Sequence, residues 1–235
     1  MSAPTSTRHH DLVIIGAGSG NSIPGPEFDD LDIAIVERGR FGGTCLNVGC
    51  VPTKMFVHPA DLAEGARSGA ALGVKMSIDA VDWAALRDRV FGRIDPIVAA
   101  GKEYREGPES PNITVYSGTA RFVGHKRLDT GTGAVVEADR WVLAAGSRAT
   151  VPDIPGLALG PRVHTSDTIM YLDDLPRSIV IFGGGEVAAE FAHVFSAFGS
   201  DVIQVIRGDR LLRTRDRDIS DAFTAAARRQ WTLQR

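Results

Sequence analysis

Short apolar runs that end in glycine-rich turns occur twice in this chain of 235 residues. Residues 12–15 are entirely apolar and precede Gly16-Ala17-Gly18, and residues 178–182 lead into Gly183-Gly184-Gly185. Runs of this kind predict parallel strands that are buried on both faces and enter a tight turn. A second strand-like segment follows each turn, the apolar run 33–36 and the mostly apolar residues 202–206, so the same opening plan appears twice.

The region between these two openings predicts more varied elements. Pro24-Gly25-Pro26 interrupts the helix expected after the first turn, because proline lacks an N–H donor and restricts the residue before it. Apolar residues recur every three or four positions from 81 to 105, which predicts an amphipathic crossover helix. Residues 112–145 alternate as strands around a turn at 130–133, which indicates an inserted β-meander.

The end of the chain predicts a second, smaller repeat of the first plan. Prolines and glycines mark a connector at 151–177, and a strand, a helix to about residue 198, a second strand and a helix at 218–230 follow it. Residues 231–235 stand where a third strand would begin, so we expect a second sheet of only two strands and an incomplete protein. The fold class predicted is α/β, with two Rossmann-like three-layer nucleotide-binding domains on parallel sheets, both incomplete: residues 1–150 and 178–235.

Composition narrows the class of protein. The net charge is −3, and 43% hydrophobic against 23% charged residues is typical of a globular chain rather than a disordered or a generally cationic nucleic-acid-binding one. No apolar run approaches the ~18 residues that cross a membrane. The first ten residues lack the apolar stretch of a secretory signal, so we expect a cytoplasmic protein. From the charge and the short apolar runs we expect no nucleic-acid or membrane partner. We also expect His9 and His10 to lie on a flexible arm.

The first glycine turn has the spacing of a dinucleotide site. Gly16-x-Gly18-x-x-Asn21 follows a strand, and Glu37 ends the next strand. Glycines let a pyrophosphate approach helix-terminal N–H groups, while the carboxylate accepts a hydrogen bond from a ribose hydroxyl. Such turns also serve packing alone, so this motif by itself leaves both interpretations open.

The second glycine turn differs in its partner residue. Gly183-x-Gly185-x-x-Ala188 is followed by a strand that ends at Arg207, with Arg213 six residues further on. Guanidinium groups bind a 2′-phosphate that a carboxylate would repel, which favours NADPH over NADH. The alternative is that both arginines only solvate a strand end.

Two cysteines stand five positions apart, at Cys45 and Cys50. In an ideal helix they would lie about 140° apart, so they meet only where the backbone is distorted, as Gly49 allows. Pro52 suits a first turn, which predicts that regular helix begins near Cys50 and that its positive end favours the thiolate. Two buried thiols or half of a metal site are the alternatives. No further cysteine and no histidine nearer than His58 is available, so a redox disulfide and no metal is favoured.

The segment GGTCLNVGCVPTK at 42–54 closely resembles a signature of the pyridine nucleotide-disulfide oxidoreductases, the flavoenzyme family that includes glutathione reductase and dihydrolipoamide dehydrogenase. Segments 18–22, 54–57, 91–96, 164–168 and 190–197 are most similar to the branch of this family that reduces mycothione. The resemblance extends over essentially the whole chain, and members of that branch are considerably longer.

The resemblance implies a role for each matching position. Cys45 would be the interchange thiol that attacks the substrate, and Cys50 would lie against the isoalloxazine ring. Lys54 would pair with Glu190 beside flavin N5. The implied FAD-binding residues are Gly16, Gly18, Asn21, Glu37, Gly43, Thr44, Ala145 and Gly146, and the implied NADPH-binding residues are Gly183, Gly185, Ala188, Arg207 and Arg213.

The resemblance also implies a function: electrons pass from NADPH through FAD and the Cys45–Cys50 disulfide to a low-molecular-weight disulfide, with mycothione as the expected substrate. The full-length form would be a homodimer, and this chain alone is expected to be weakly active or inactive. The alternatives are a member like dihydrolipoamide dehydrogenase or mercuric reductase, or a non-catalytic FAD- or nucleotide-binding fragment. Glu186 departs from the family, whose members usually carry an aromatic or aliphatic residue over the nicotinamide site. Its charge must be exposed or paired, and we expect it to affect the geometry of hydride transfer.

Overall fold

The computed structural model describes residues 7–235, which form two compact units. The first unit comprises residues 7–50 and 92–157, and the second comprises residues 51–91 and 158–235. A six-stranded sheet in the first unit has the order β3-β2-β1-β6-β5-β4. Its strands are β1 (Thr7–Ile15), β2 (Ile33–Glu37), β3 (Ile113–Ser117), β4 (Arg121–Gly124), β5 (Arg127–Asp129) and β6 (Val135–Leu143).

The central strand β1 is buried on both faces, as its apolar run predicts. Leu12 and Ile14 pack into one apolar cluster, and Val13 packs into the other on the opposite face. Strands β3, β2, β1 and β6 are parallel, whereas β4, β5 and β6 form an antiparallel meander. The predicted α/β class with an inserted meander is therefore confirmed, and the carboxyl ends of β1, β2 and β6 meet at one edge of the sheet.

The segment between β1 and β2 contains no α-helix, as the proline pair predicts. Two short 3-10 turns, Ser19–Ser22 and Pro26–Phe28, replace it. The Arg105 guanidinium donates hydrogen bonds to the side-chain and backbone oxygens of Asn21, at 2.8 and 2.6 Å, and so fixes this irregular connection. Three helices follow: α1 (Gly43–Asn47), α2 (Cys50–Ser68) and α3 (Trp83–Glu106), of which α3 confirms the predicted crossover.

The expectation that His9 and His10 lie on a flexible arm is wrong. Strand β1 begins at Thr7 and includes both residues. The His10 side chain is buried, with Nδ1 2.9 Å from an Asp32 carboxylate oxygen and Nε2 3.2 Å from the Tyr116 hydroxyl. A polar residue can occupy a strand interior when both of its ring nitrogens find partners, and these partners are too distant in sequence for local patterning to identify.

The second unit contains a parallel sheet of three strands in the order β7-β8-β9, so the expectation of two strands is wrong. Trp231 is extended directly after the last helix, and its indole N–H donates to Gln204 Oε1 at 2.8 Å. This anchor returns the chain to the sheet within one residue. The elements are β7 (Ser178–Phe182), α4 (Glu186–Ala197), β8 (Asp201–Val205), α5 (Arg217–Gln230) and β9 (Thr232–Gln234).

Irregular backbone with two 3-10 turns, Gly69–Leu72 and Ile169–Tyr171, accounts for much of the remaining chain. None of the helices between residues 7 and 235 has both the length and the apolar composition needed to span a membrane.

Candidate functional site

Cys45 and Cys50 form a disulfide, with their Cα atoms 4.9 Å apart. Cys45 lies in the short helix α1, and Cys50 is the first residue of α2. Both residues are exposed. Helix geometry breaks between them at Gly49, where an added Cβ would lie only 2.8 Å from the Thr44 carbonyl oxygen and 3.1 Å from the Cys45 Cα. The predicted backbone distortion and the predicted start of regular helix at Cys50 are both confirmed.

Asn47 holds the segment between Gly43 and Cys50 in place, although no sequence motif pointed to this role. Its side chain is buried, and Nδ2 donates to the carbonyl oxygens of Phe41 and Gly43 at 2.8 and 2.9 Å. Its Oδ1 accepts a hydrogen bond from Arg40 Nε at 2.8 Å, and Arg40 also pairs with Asp95 of α3. The amide therefore connects α1 to the residues that precede it through both its donor and its acceptor atoms. An amide side chain inside a glycine-rich segment was the available signal.

The first glycine turn packs tightly against the start of α1, which carries Cys45. Gly16 has φ +105°, and an added Cβ would lie 2.2 Å from the Ala144 carbonyl oxygen at the end of β6. A Cβ on Gly43 would lie 2.6 Å from the Gly18 Cα. Only glycine therefore fits at Gly16 and Gly43, because an added Cβ would collide with backbone atoms where β1, β6 and α1 meet.

Glu37 lies at the same edge of the sheet. Its carboxylate accepts hydrogen bonds from the backbone N–H groups of Ala17 and Gly39, at 2.8 and 2.7 Å. The acid is therefore held beside the first turn, as the motif predicts. Ala145 and Gly146 follow β6 and are exposed, and Thr44 is exposed within α1.

Lys54 and Glu190 form an ion pair in the second unit. Lys54 lies on α2, one turn after Cys50, and Glu190 lies on α4. Their side chains are 62% and 32% exposed, so solvent screens this pair and its contribution to stability is small. The structure brings together two residues that are 136 positions apart in sequence.

The second glycine turn joins β7 to α4. Gly183 has φ +133°, and its carbonyl oxygen accepts from the buried Gln204 side chain at 2.8 Å. The Gly184 carbonyl oxygen accepts from the Leu212 N–H at 2.7 Å, which fastens the loop after β8 to the turn. Gly185 precedes α4, and a Cβ built there meets no atom within 4 Å. Open space therefore faces the start of α4, while Ala188 packs against Gly183 on the inner side.

Two arginines beside this turn have no acidic partner within the described part of the chain. Arg207 and Arg213 are exposed, and neither guanidinium forms an ion pair or hydrogen bond with any residue between 7 and 235. The Arg213 side chain lies against Gly208, where a Cβ would come within 3.0 Å of it. By contrast, Arg210 and Arg217 both pair with Asp221. Unpaired cationic charge is therefore concentrated at the end of β8.

Glu186 is the first residue of α4, and its carboxylate accepts from Arg215 Nε at 2.8 Å, with Arg215 Nη2 at 2.7 Å. A hydrogen bond from its own backbone N–H, followed by the bond from Arg215, lowers the pKa of Glu186. Both side chains are exposed. The prediction that this charge is exposed or paired is confirmed, although the partner Arg215 was not foreseen.

Comparison with known proteins connects this geometry to a family. Residues 10–231 match the family described as pyridine nucleotide-disulphide oxidoreductase. The chain is 48% identical to mycothione reductase of Mycobacterium tuberculosis H37Rv over 96% of its length, and 33% identical to glutathione reductase of Burkholderia cepacia over 90%. It covers 50% and 46% of these two proteins, so it spans about half the length of the curated relatives it matches.

A solved structure has a similar fold. The HOCl-induced flavoprotein disulfide reductase from Escherichia coli superposes with a TM-score of 0.80 and 28% identity, over 95% of this chain and 48% of that one. The fold, the disulfide within its signature and the match over nearly all residues agree: the chain belongs to the pyridine nucleotide-disulphide oxidoreductase family.

Proposed function

We propose that this chain belongs to a flavin-dependent disulfide reductase that uses NADPH to reduce a low-molecular-weight disulfide, mycothione, by way of Cys45 and Cys50. The observation that carries this proposal is the exposed Cys45–Cys50 disulfide. Asn47 holds it at a break between two helices, and the closely packed Gly18 and Gly43 lie beside it in the same unit.

The residues of the first unit fit FAD. Gly16, Gly18 and Gly43 let the backbone turn tightly and pack closely at the carboxyl edge of the sheet, as a dinucleotide-binding turn requires, and Glu37 places a carboxylate there for a ribose hydroxyl. When bound, FAD supplies two-electron transfer between a reduced nicotinamide and the disulfide. We propose Asn21, Thr44, Ala145 and Gly146 as further contacts, and residues 1–150 as the FAD-binding domain.

The residues of the second unit fit a phosphorylated dinucleotide. Gly183 and Gly185 belong to the turn before α4, Ala188 lies in the first turn of α4, and open space faces Gly185. Arg207 and Arg213 would bind a 2′-phosphate, because neither guanidinium group forms an ion pair or hydrogen bond with residues 7–235 and both can form bidentate contacts. We therefore assign NADPH to residues 178–235, beyond the connector at 151–177.

The two cysteines divide the exchange chemistry. Reduction breaks the Cys45–Cys50 bond with two electrons and two protons and leaves two thiols. The Cys45 thiolate then attacks one sulfur of the substrate disulfide, so a mixed disulfide forms and one substrate thiol leaves. The Cys50 thiolate attacks the Cys45 sulfur, releases the second thiol and restores the original disulfide. Cys50 suits the resolving role because it begins α2, where the helix dipole stabilises a thiolate.

The Lys54–Glu190 pair is proposed to act at the flavin rather than on the substrate. The opposite charges of this partly exposed pair compensate each other, so the pair adds no net charge. The identity of 48% with a mycothione reductase, against 33% with a glutathione reductase, supports mycothione as the substrate.

Single-cysteine variants reconstituted with FAD provide the test. A Cys45→Ser chain retains the Cys50 thiol and is expected to show long-wavelength thiolate-to-flavin absorbance, which the matched Cys50→Ser chain should lack. Binding of FAD without that absorbance in either variant would contradict the proposal and favour a non-catalytic flavin-binding role. With the longer protein, NADPH oxidation should be faster with mycothione than with glutathione disulfide, and the reverse order would refute the substrate assignment.

A further inference from the structure

A carboxylate lies at the start of α4, next to the glycine turn that we assign to NADPH. Glu186 is the first residue of α4, directly after the glycine turn, and Gly185 at the preceding position contributes no side chain. The start of a helix carries a partial positive charge of about half an elementary charge and has unpaired N–H groups. An acid at this point therefore uses the same electrostatic attraction that a phosphate group would use.

A fixed arginine completes this internal arrangement. The Leu212 N–H bonds to the Gly184 carbonyl oxygen, and three residues later the Arg215 N–H bonds back to the Leu212 carbonyl oxygen at 2.8 Å. This turn directs the Arg215 guanidinium onto the Glu186 carboxylate. Arg215 is therefore neutralised within the chain, unlike Arg207 and Arg213 beside it.

We propose that the Glu186–Arg215 ion pair is an internal competitor at the nucleotide site, and that it limits how tightly the pyrophosphate of a dinucleotide binds at the start of α4. This inference rests on the proposed function, since it assumes that the second glycine turn receives NADPH. Glu186 repels the incoming phosphates and engages Arg215, which would otherwise be available to them. The lowered pKa of Glu186 keeps this carboxylate ionised throughout the neutral range.

The charges predict a distinctive pattern for three variants. Glu186→Gln removes the repelling charge and frees Arg215, so dinucleotide binding should tighten. Arg215→Gln leaves an unpaired carboxylate at the start of α4, so binding should weaken. In the double variant both charges are gone, and the two effects should largely cancel. A merely structural ion pair would predict instead that both single variants change binding in the same direction or not at all.

Calorimetric titration with NADP⁺ measures these changes in the 235-residue chain. We expect the Kd to fall about three- to tenfold in Glu186→Gln, to rise by a similar factor in Arg215→Gln, and to stay within about twofold in the double variant. Asp218→Asn is the matched control, because Asp218 is an exposed acid in the first turn of α5. Its Kd should equal that of the wild type, and thermal melts should show that all variants are folded.

A second probe, 2′-AMP, separates the inference from the proposed function. It carries the phosphate assigned to Arg207 and Arg213 but no pyrophosphate, so its Kd should change less than about twofold across the variants. If 2′-AMP responds as NADP⁺ does, competition at the pyrophosphate is refuted. Equal NADP⁺ binding in all variants also refutes the inference, while the proposed function stands. If neither probe binds the wild type or Glu186→Gln, the nucleotide site itself is refuted, and the inference with it.

Discussion

At Gly49 the backbone between α1 and α2 passes so close to Thr44 and Cys45 that no side chain fits. We predict that Gly49→Ala separates the two cysteines, because the new Cβ would lie 2.8 Å from the Thr44 carbonyl oxygen and backbone must shift. Equilibration in glutathione buffers followed by thiol counting should show a disulfide that is reduced at least about tenfold more readily, which corresponds to about 1.4 kcal/mol.

A glycine elsewhere on α2 provides the control for this residue. Gly65 lies in the interior of the same helix, and a Cβ built there meets no atom within 4 Å. Gly65→Ala should leave the thiol–disulfide equilibrium unchanged and stabilise the chain by about 0.5–1 kcal/mol, since alanine favours helix. An unchanged equilibrium in Gly49→Ala as well would show that the close approach at Gly49 does not control the disulfide.

Within the second sheet, the buried side-chain amide of Gln204 connects β8 to the glycine turn after β7 and to Trp231 before β9. Gln204 of β8 is fully buried, donates to the Gly183 carbonyl oxygen and accepts from the Trp231 indole N–H. Gln204→Leu keeps the approximate volume but leaves both partners unsatisfied, at about 1–3 kcal/mol for each buried group. Urea unfolding should therefore show a loss of about 2–6 kcal/mol.

An exposed glutamine in the same sheet provides the control for Gln204. Gln234 of β9 is exposed and contributes its backbone carbonyl oxygen, which accepts from the Ile206 N–H. Gln234→Leu should change the free energy of unfolding by less than about 0.5 kcal/mol. Equal losses in the two variants would mean that the amide network of Gln204 contributes nothing specific to the stability of the second sheet.

Across the whole molecule, the features that depend on local pattern could be predicted from the sequence. The buried strand β1, the glycine turns, the irregular connection at Pro24-Gly25-Pro26 and the helix start at Cys50 follow from neighbouring residues, and the structure has them. The expectation that residues 178–182 form a strand buried on both faces is wrong, because β7 lies at the edge of its sheet with Val180 and Phe182 exposed. His10, Arg215 and the third strand of the second sheet depend on partners that are distant in sequence or on a single buried side chain, so periodicity could not identify them. The homodimeric state and the cytoplasmic location stay predictions.

The second unit is assembled from two separate stretches of chain, and this predicts how a cut molecule behaves. Trp83 stacks on Phe56 with centroids 5.1 Å apart and packs against Phe195 of α4 at 5.6 Å, all within the second unit. A protease site inserted after the exposed Leu159 would give two fragments that share this core, so they should co-elute in size-exclusion chromatography. Trp83→Ala removes the central ring, at about 3–5 kcal/mol, and should let the fragments separate. If the wild-type fragments separate on cutting, residues 51–91 do not belong to this unit, and contiguous domains at 1–150 and 178–235 describe the chain better.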